Sequence, residues 1–131
     1  MIDDGILRLS TRDVAIVTLS AFEIKRYEKL VAEFIERRRP PPRLRKDVDL
    51  AFRIDERSVE IFEVRAHWTG KGKPIEHSIA KAKFDKNKRK WKVLWQRADL
   101  KWHSYKPHPE VDAIEDFLMI VEKDNQGCFF G

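Results

Sequence analysis

The sequence predicts an α+β domain, a four- to five-stranded antiparallel meander sheet with two helices packed on one face. Three observations predict it. Residues 48–98 alternate apolar and polar side chains in four runs separated by turn signals. A stretch on either side of these runs repeats apolar residues at helical spacing. Hydrophobic residues make up 42% of the 131, enough for one core, and 37% are charged and must stay in water.

The first helix starts at Ser20. Ser20-Ala21-Phe22-Glu23 is a capping box, with the serine hydroxyl at the N-cap and the glutamate reaching back from the third helical position. Leu19 and Ile24 occupy the staple positions. Ile24, Tyr27, Val31, Phe34 and Ile35 form the apolar stripe, and Lys25, Arg26, Lys29, Glu33 and Glu36 the opposite face. Arg37, Arg38 and Arg39 fall in the last turn, where cations suit the helix dipole. Pro40-Pro41-Pro42 cannot continue the helix and reads as a stiff polyproline spacer.

The meander follows. Val48, Leu50 and Phe52 alternate along strand one, with a turn at Asp55 to Ser58. Phe62, Val64, Ala66 and Trp68 alternate along strand two, and Thr69 to Pro74 turns by its glycines and proline. Ile75 to Phe84 is strand three, Asp85 to Lys90 a lysine-rich turn, and Trp91 to Ala98 strand four. Pairing Phe52 with Phe62, Val64 with Ala80, Ala80 with Trp95, Ala82 with Val93 and Phe84 with Trp91 gathers one apolar face. That face holds Val48, Leu50, Phe52, Phe62, Val64, Ala66, Ala80, Ala82, Phe84, Trp91, Val93 and Trp95. The same register sends Asp49, Glu63, Arg65, His67, His77, Lys81, Lys83, Lys92 and Gln96 to the reverse face, together with Val59, Ile61, Ile79 and Leu94. It sets Asp49 across from Arg65, Glu63 across from Lys81, and His67 across from His77. A fifth strand comes from Leu100 to Tyr105 or from the N-terminus.

Helix two starts near Asp112, which can cap it, and carries the stripe Ile114, Phe117, Leu118 and Val121. Asn125-Gln126-Gly127 ends it. The tail Cys128-Phe129-Phe130-Gly131 is too apolar to float and is expected to dock on the body. Residues 1–18 read as an extension or an added strand, and residues 19–131 as a single α+β domain.

Composition narrows the function classes. The net charge is +5 and the pI about 9.4, which admits an anionic partner such as nucleic acid or another polyanion. One cysteine, Cys128, rules out an intramolecular disulfide and fits a reducing compartment. The acidic start lacks a basic leader, and Val14 to Val17 is too short for a membrane span, so a cytoplasmic protein off the membrane is expected. Walker, GxGxxG, HExxH and CxxC motifs are absent, so no cofactor is expected.

Four stretches together resemble a known family. They are Glu36-Arg37-Arg38-Arg39-Pro40-Pro41-Pro42, Val59 to Arg65, Trp91 to Tyr105 with its RADLKWHSY end, and Gly127-Cys128-Phe129-Phe130-Gly131. The chain from about residue 19 onward is similar to a family of small bacterial proteins catalogued as a domain of unknown function. The resemblance implies a single soluble domain of bacterial origin and assigns no catalytic residue.

The residues themselves offer several candidate chemistries. Lys81, Lys83, Lys86, Lys88, Arg89, Lys90 and Lys92 make a basic run beside aromatics, able to hold phosphates and stack bases. Arg37 to Arg39 with Arg43, Arg45 and Lys46 form a second basic cluster. The plain alternative is a solvated hairpin kept soluble by lysine. His67 and His77 with Glu63 or Asp99 are a weak metal set whose spacing matches no ligand signature, so no metal is expected. Arg97, Asp99, His103 and Tyr105 are the candidate catalytic group, an Asp–His pair beside Arg and Tyr for acid–base hydrolysis; the alternative is a structural network that ties the bend. An Asp49 or Asp55 with Glu63 and Arg65 faintly echoes nuclease carboxylates, with Arg where Lys belongs. Cys128 reads as buried rather than reactive. The leading expectation is a small non-enzymatic binding or adaptor protein for an anionic partner. The alternatives are a hydrolase on Asp99 and His103 with Arg97 and Tyr105, and a homo-oligomeric structural module.

Overall fold

A computed structural model describes residues 19–131. The expectation for residues 1–18 lies outside them. The elements run α1 (Ala21–Arg38), β1 (Val48–Ile54), β2 (Ser58–Arg65), β3 (Ile75–Asp85), β4 (Lys90–Gln96), β5 (Trp102–Ser104), β6 (Glu110–Val111) and α2 (Ile114–Lys123). The sheet is an antiparallel meander in the order β1-β2-β3-β4-β5, and β6 pairs with the first part of β4 on the edge where β5 pairs with its end. The class is α+β, with the helices on one face. No described helix is long and apolar enough to cross a membrane.

Helix α1 begins at the expected box. The Glu23 amide donates to Ser20 Oγ at 3.1 Å, and the Ser20 amide to Glu23 Oε1 at 3.0 Å. The helix stops because Pro40 follows, but the prolines do not form one spacer: Pro42–Leu44 closes a short 3₁₀ turn. Val31, Phe34 and Ile35 are buried on α1, and Ile114, Phe117, Leu118 and Val121 on α2. The two helices meet through the ion pairs Arg26–Glu115 and Arg37–Glu122. Asp112 does not cap α2. Ala113 takes that position with no side-chain bond, and Asp112 instead lies 3.3 Å from Lys90.

The register of β3 with β4 is as expected: Ala80 faces Trp95, Ala82 faces Val93, and Phe84 faces Trp91. The register of β1 with β2 is one residue away from the expected one. Phe52 faces Ile61 and Leu50 faces Glu63. The Asp55 to Ser58 turn sets this, because Asp55 Oδ1 accepts from the Arg57 and Ser58 amides at 2.7 and 2.8 Å and fixes the loop length. A slip of one exchanges faces, so Val59 and Ile61 join the core and Phe62 and Val64 turn away. Phe62 remains only 7% exposed because the Arg53 guanidinium covers its ring at 4.1 Å. Strand β3 carries a bulge at Ile79, which lets that side chain enter the core beside Ala80 and puts Ser78 opposite Phe62.

These shifts re-pair the polar residues. Glu60, not Glu63, faces Lys81. Asp49 is held by Arg39, with Nη2 to Oδ2 at 2.6 Å and Nε to Oδ1 at 3.1 Å, rather than by Arg65. His77 faces Glu63, and His67 lies beyond the end of β2, so the two histidines are not cross-strand neighbours.

Candidate functional site

One face of the sheet carries the helices, and the other carries no described element. Strand alternation and the observed register assign the residues of the open face. Lys81 faces Leu94, Lys83 faces Lys92, Leu94 faces Ser104, and Gln96 faces Trp102. Lys81 Nζ stands 5.5 Å above the Trp102 ring, so ammonium and indole share this surface. Lys83 and Lys92 put two like charges directly opposite each other, an arrangement that costs stability. Asp85 Oδ2, 3.9 Å from Lys92, offsets part of it. The Lys88 and Asn87 amides, with Lys88 the larger influence, hold the Asp85 carboxyl below its ordinary value.

Three further basic residues of the hairpin have partners. Lys88 lies 3.1 Å from Glu110, and Lys90 pairs with Asp112. Arg89 sits 5.5 Å from the Phe84 ring, with a left-handed backbone (φ 53) that closes the turn. Of the six anion-binding candidates, Lys81, Lys83 and Lys92 share the open face, Lys88 and Lys90 fasten the hairpin to Glu110 and Asp112, and Arg89 lies against Phe84 within the hairpin.

The second candidate place is the corner between β4 and β5. Asp99 Oδ2 and His103 Nε2 are 2.9 Å apart, and the Lys101 amide donates to Asp99 Oδ1 at 2.9 Å. That amide first, and the imidazole second, keep the Asp99 carboxyl below its ordinary value. Arg97, His103 and Tyr105 line a groove of about 430 Å³ with Trp95, Lys106 and Cys128, and Asp99 reaches it only through its bond to His103. The Arg97 guanidinium lies 5.6 Å over the Trp95 ring. Tyr105 is 2% exposed and packs on Phe129 with ring centroids 5.0 Å apart. Burial pushes its phenol above the ordinary value, and burial with Asp124 raises the Cys128 thiol likewise. A raised thiol is protonated at neutral pH and is a poor nucleophile.

Asp124 was not foreseen as a key residue. It ends α2 in a left-handed conformation (φ 44), and its carboxylate accepts from the amides of Phe129 (3.0 Å), Phe130 (2.8 Å) and Gly131 (3.2 Å). This clasp folds the Cys128-Phe129-Phe130 tail back so that Phe129 reaches Tyr105. The signal in the sequence was an acid directly before Asn125-Gln126-Gly127, a helix end where Asp tolerates the left-handed region.

Among the described residues, no group of three or more His, Cys, Asp or Glu is placed to hold a metal ion. His67 Nδ1 is engaged by Thr69, whose hydroxyl oxygen lies 2.7 Å away.

A family model described as "Domain of unknown function (DUF3024)" matches residues 19–131. The chain belongs to this family. The match begins at Leu19, the residue that precedes the capping box of α1, so the DUF3024 domain and the described fold coincide. No curated protein and no solved structure matches the chain. The two places described above are therefore features of a DUF3024 domain read from its own geometry.

Proposed function

We propose that the protein is a small non-enzymatic binding module that takes an anionic partner, nucleic acid foremost, on the helix-free face of its sheet. The observation that carries this reading is Lys83 set directly across from Lys92, with Lys81 two residues along on the same face. Like charges on adjacent strands weaken a sheet, and Asp85 offsets only part of this repulsion. Phosphates laid between them turn repulsion into attraction and release counterions. Trp102 beneath Lys81 adds an aromatic surface at the same place. Among the described residues, Glu60 lies across from Lys81 but is engaged by Arg53 and by the Ser78 hydroxyl, and Lys83 lies across from Ser58 on its other side.

A mobility-shift titration of single-stranded DNA across a salt series tests it. Affinity should fall steeply with salt, and the Lys81→Glu, Lys83→Glu, Lys92→Glu variant should flatten the logarithmic slope by about two. No binding by the native protein at low salt removes the proposal.

A second reading rests on the Asp99–His103 pair beside the groove of Arg97 and Tyr105. It makes the protein a hydrolase with His103 as the general base and Asp99 orienting it. A panel of nitrophenyl esters and phosphate esters tests this reading. Turnover that vanishes in His103→Ala supports it, and turnover that survives in that variant, or is absent from the native protein, ends it.

A further inference from the structure

The loop between β2 and β3 presents one tryptophan to solvent. Trp68 is 86% exposed, the most exposed of the large apolar side chains among the described residues. Single exposed hydrophobics are common and need no explanation. This one is different because the loop around it is closed by hydrogen bonds of its own. The Gly70 amide donates to the His67 carbonyl at 2.8 Å, the Thr69 amide to His67 Nδ1 at 3.2 Å, and the Lys71 amide to Thr69 Oγ1 at 3.2 Å. Gly72 closes against the imidazole so tightly that a Cβ there would lie 2.6 Å from ring carbons. His67 in turn stacks on the Trp68 indole, with ring centroids 5.5 Å apart and planes 29° from parallel. The imidazole thus lies offset beside the indole, and most of the indole surface is left for a further flat ring to stack on.

Within the loop itself the charge has one sign, while Asp47, Glu63 and Glu76 lie at its base. From Arg65 to Pro74 there is no acidic residue, and Lys71 and Lys73 are exposed. The Ala66 amide donates to the Asp47 carbonyl at 2.9 Å, which ties this loop to the connector bearing Arg43, Arg45 and Lys46. Two basic stretches remote in sequence thus meet at one end of the sheet. From this loop β3 runs on to Lys81 and Lys83 on the open face.

We propose that Trp68 is a base-stacking platform for single-stranded nucleic acid, with Lys71 and Lys73 holding the flanking phosphates. The proposal rests on the anionic-partner reading above and names the partner more narrowly. Single strands are favoured over duplex because an indole can stack only on a base whose face is free. At about 3.4 Å per residue, the path along β3 from the loop to Lys83 spans roughly 30 Å, room for several nucleotides, and the two carboxylates beside it, Glu76 and Glu60, are both paired with Arg53.

The test is fluorescence anisotropy of a labelled single-stranded oligothymidylate of about twelve nucleotides, with the native chain, Trp68→Ala and Trp68→Phe. Trp68→Ala should weaken binding about five- to 150-fold, Trp68→Phe should recover most of it, and neither should change the salt slope. A duplex of the same length should bind native protein and Trp68→Ala equally. Trp68 is on the surface, so circular dichroism of the variants should match that of the native chain. If Trp68→Ala binds the single strand as the native protein does, this inference falls and the lysine-face reading stands. If the native protein fails to bind at low salt, both fall. If indole emission shifts to the blue with phosphatidylserine–phosphatidylcholine vesicles and not with the oligonucleotide, the loop is a membrane contact and the inference is overturned.

Discussion

Lys83→Glu separates stability from function in opposite directions. In the native sheet Lys83 faces Lys92 directly. Like charges so placed destabilise and opposite charges stabilise, each by about 0.2–1 kcal/mol. Replacing one ammonium by a carboxylate swings the pair by the sum of the two, and solvent screening at this exposed position trims the gain to about 0.5–1 kcal/mol. Urea unfolding should therefore show a higher midpoint with an unchanged slope, and the melting temperature should rise by about 2–4 °C. In the same protein, binding of single-stranded DNA at low salt should weaken, because a phosphate now meets repulsion. A residue kept for folding alone would give the reverse pattern. If Lys83→Glu unfolds more easily and binds as before, the pair is not the one described and the reasoning fails.

Other outcomes follow from the same structure. Trp91, 2% exposed and wedged between Tyr27 at 5.4 Å and Phe84 at 5.2 Å, should cost about 3–5 kcal/mol when truncated to Ala, measured by urea unfolding. Asp124→Asn keeps the left-handed backbone but loses charge and one acceptor, and should cost about 1–2 kcal/mol. Asp124→Ala removes every acceptor, strains the backbone, and should release the tail, so that the Phe129 and Phe130 amides lose hydrogen-exchange protection. Arg39 holds the Asp49 carboxyl below its ordinary value. A depressed carboxylate contributes stability that is present above its unfolded value near 3.9 and lost as pH falls through the folded value. Acid unfolding monitored by circular dichroism should therefore be shallower in Asp49→Asn than in the native chain.

How far the sequence was legible depended on whether one parity of a strand was apolar. In β4, Trp91, Val93 and Trp95 leave Lys92, Leu94 and Gln96 on the other side, and β3 offers Ala80 and Ala82 against the first set. Only one register satisfies both, and it is the one found. In β2, Val59 and Ile61 compete with Phe62 and Val64, so hydrophobicity alone does not choose a face. The choice was made by the Asp55 turn and by Arg53, which shelters Phe62 on the open side. The Ile79 bulge had no signal, since no glycine marks it. Leu100 holds a left-handed φ of 64 where glycine would be the usual choice, so the β4–β5 turn was legible only as a bend. Among the site residues, the pairing of Asp99 with His103 follows from their closeness in sequence. The pairing of Lys83 with Lys92 follows from the one register that was well determined. His67 and His77 depended on the ambiguous strand and came apart with it.

The most direct test of the account is an amide chemical-shift titration of the isotopically labelled protein with single-stranded DNA. The account predicts shifts concentrated at Lys81, Lys83, Lys92 and Trp102, together with the Trp68 indole, and quiet resonances on α1 and α2. Shifts gathered instead on the two helices or around the Asp99–His103 groove, with the sheet's open face unmoved, would contradict it.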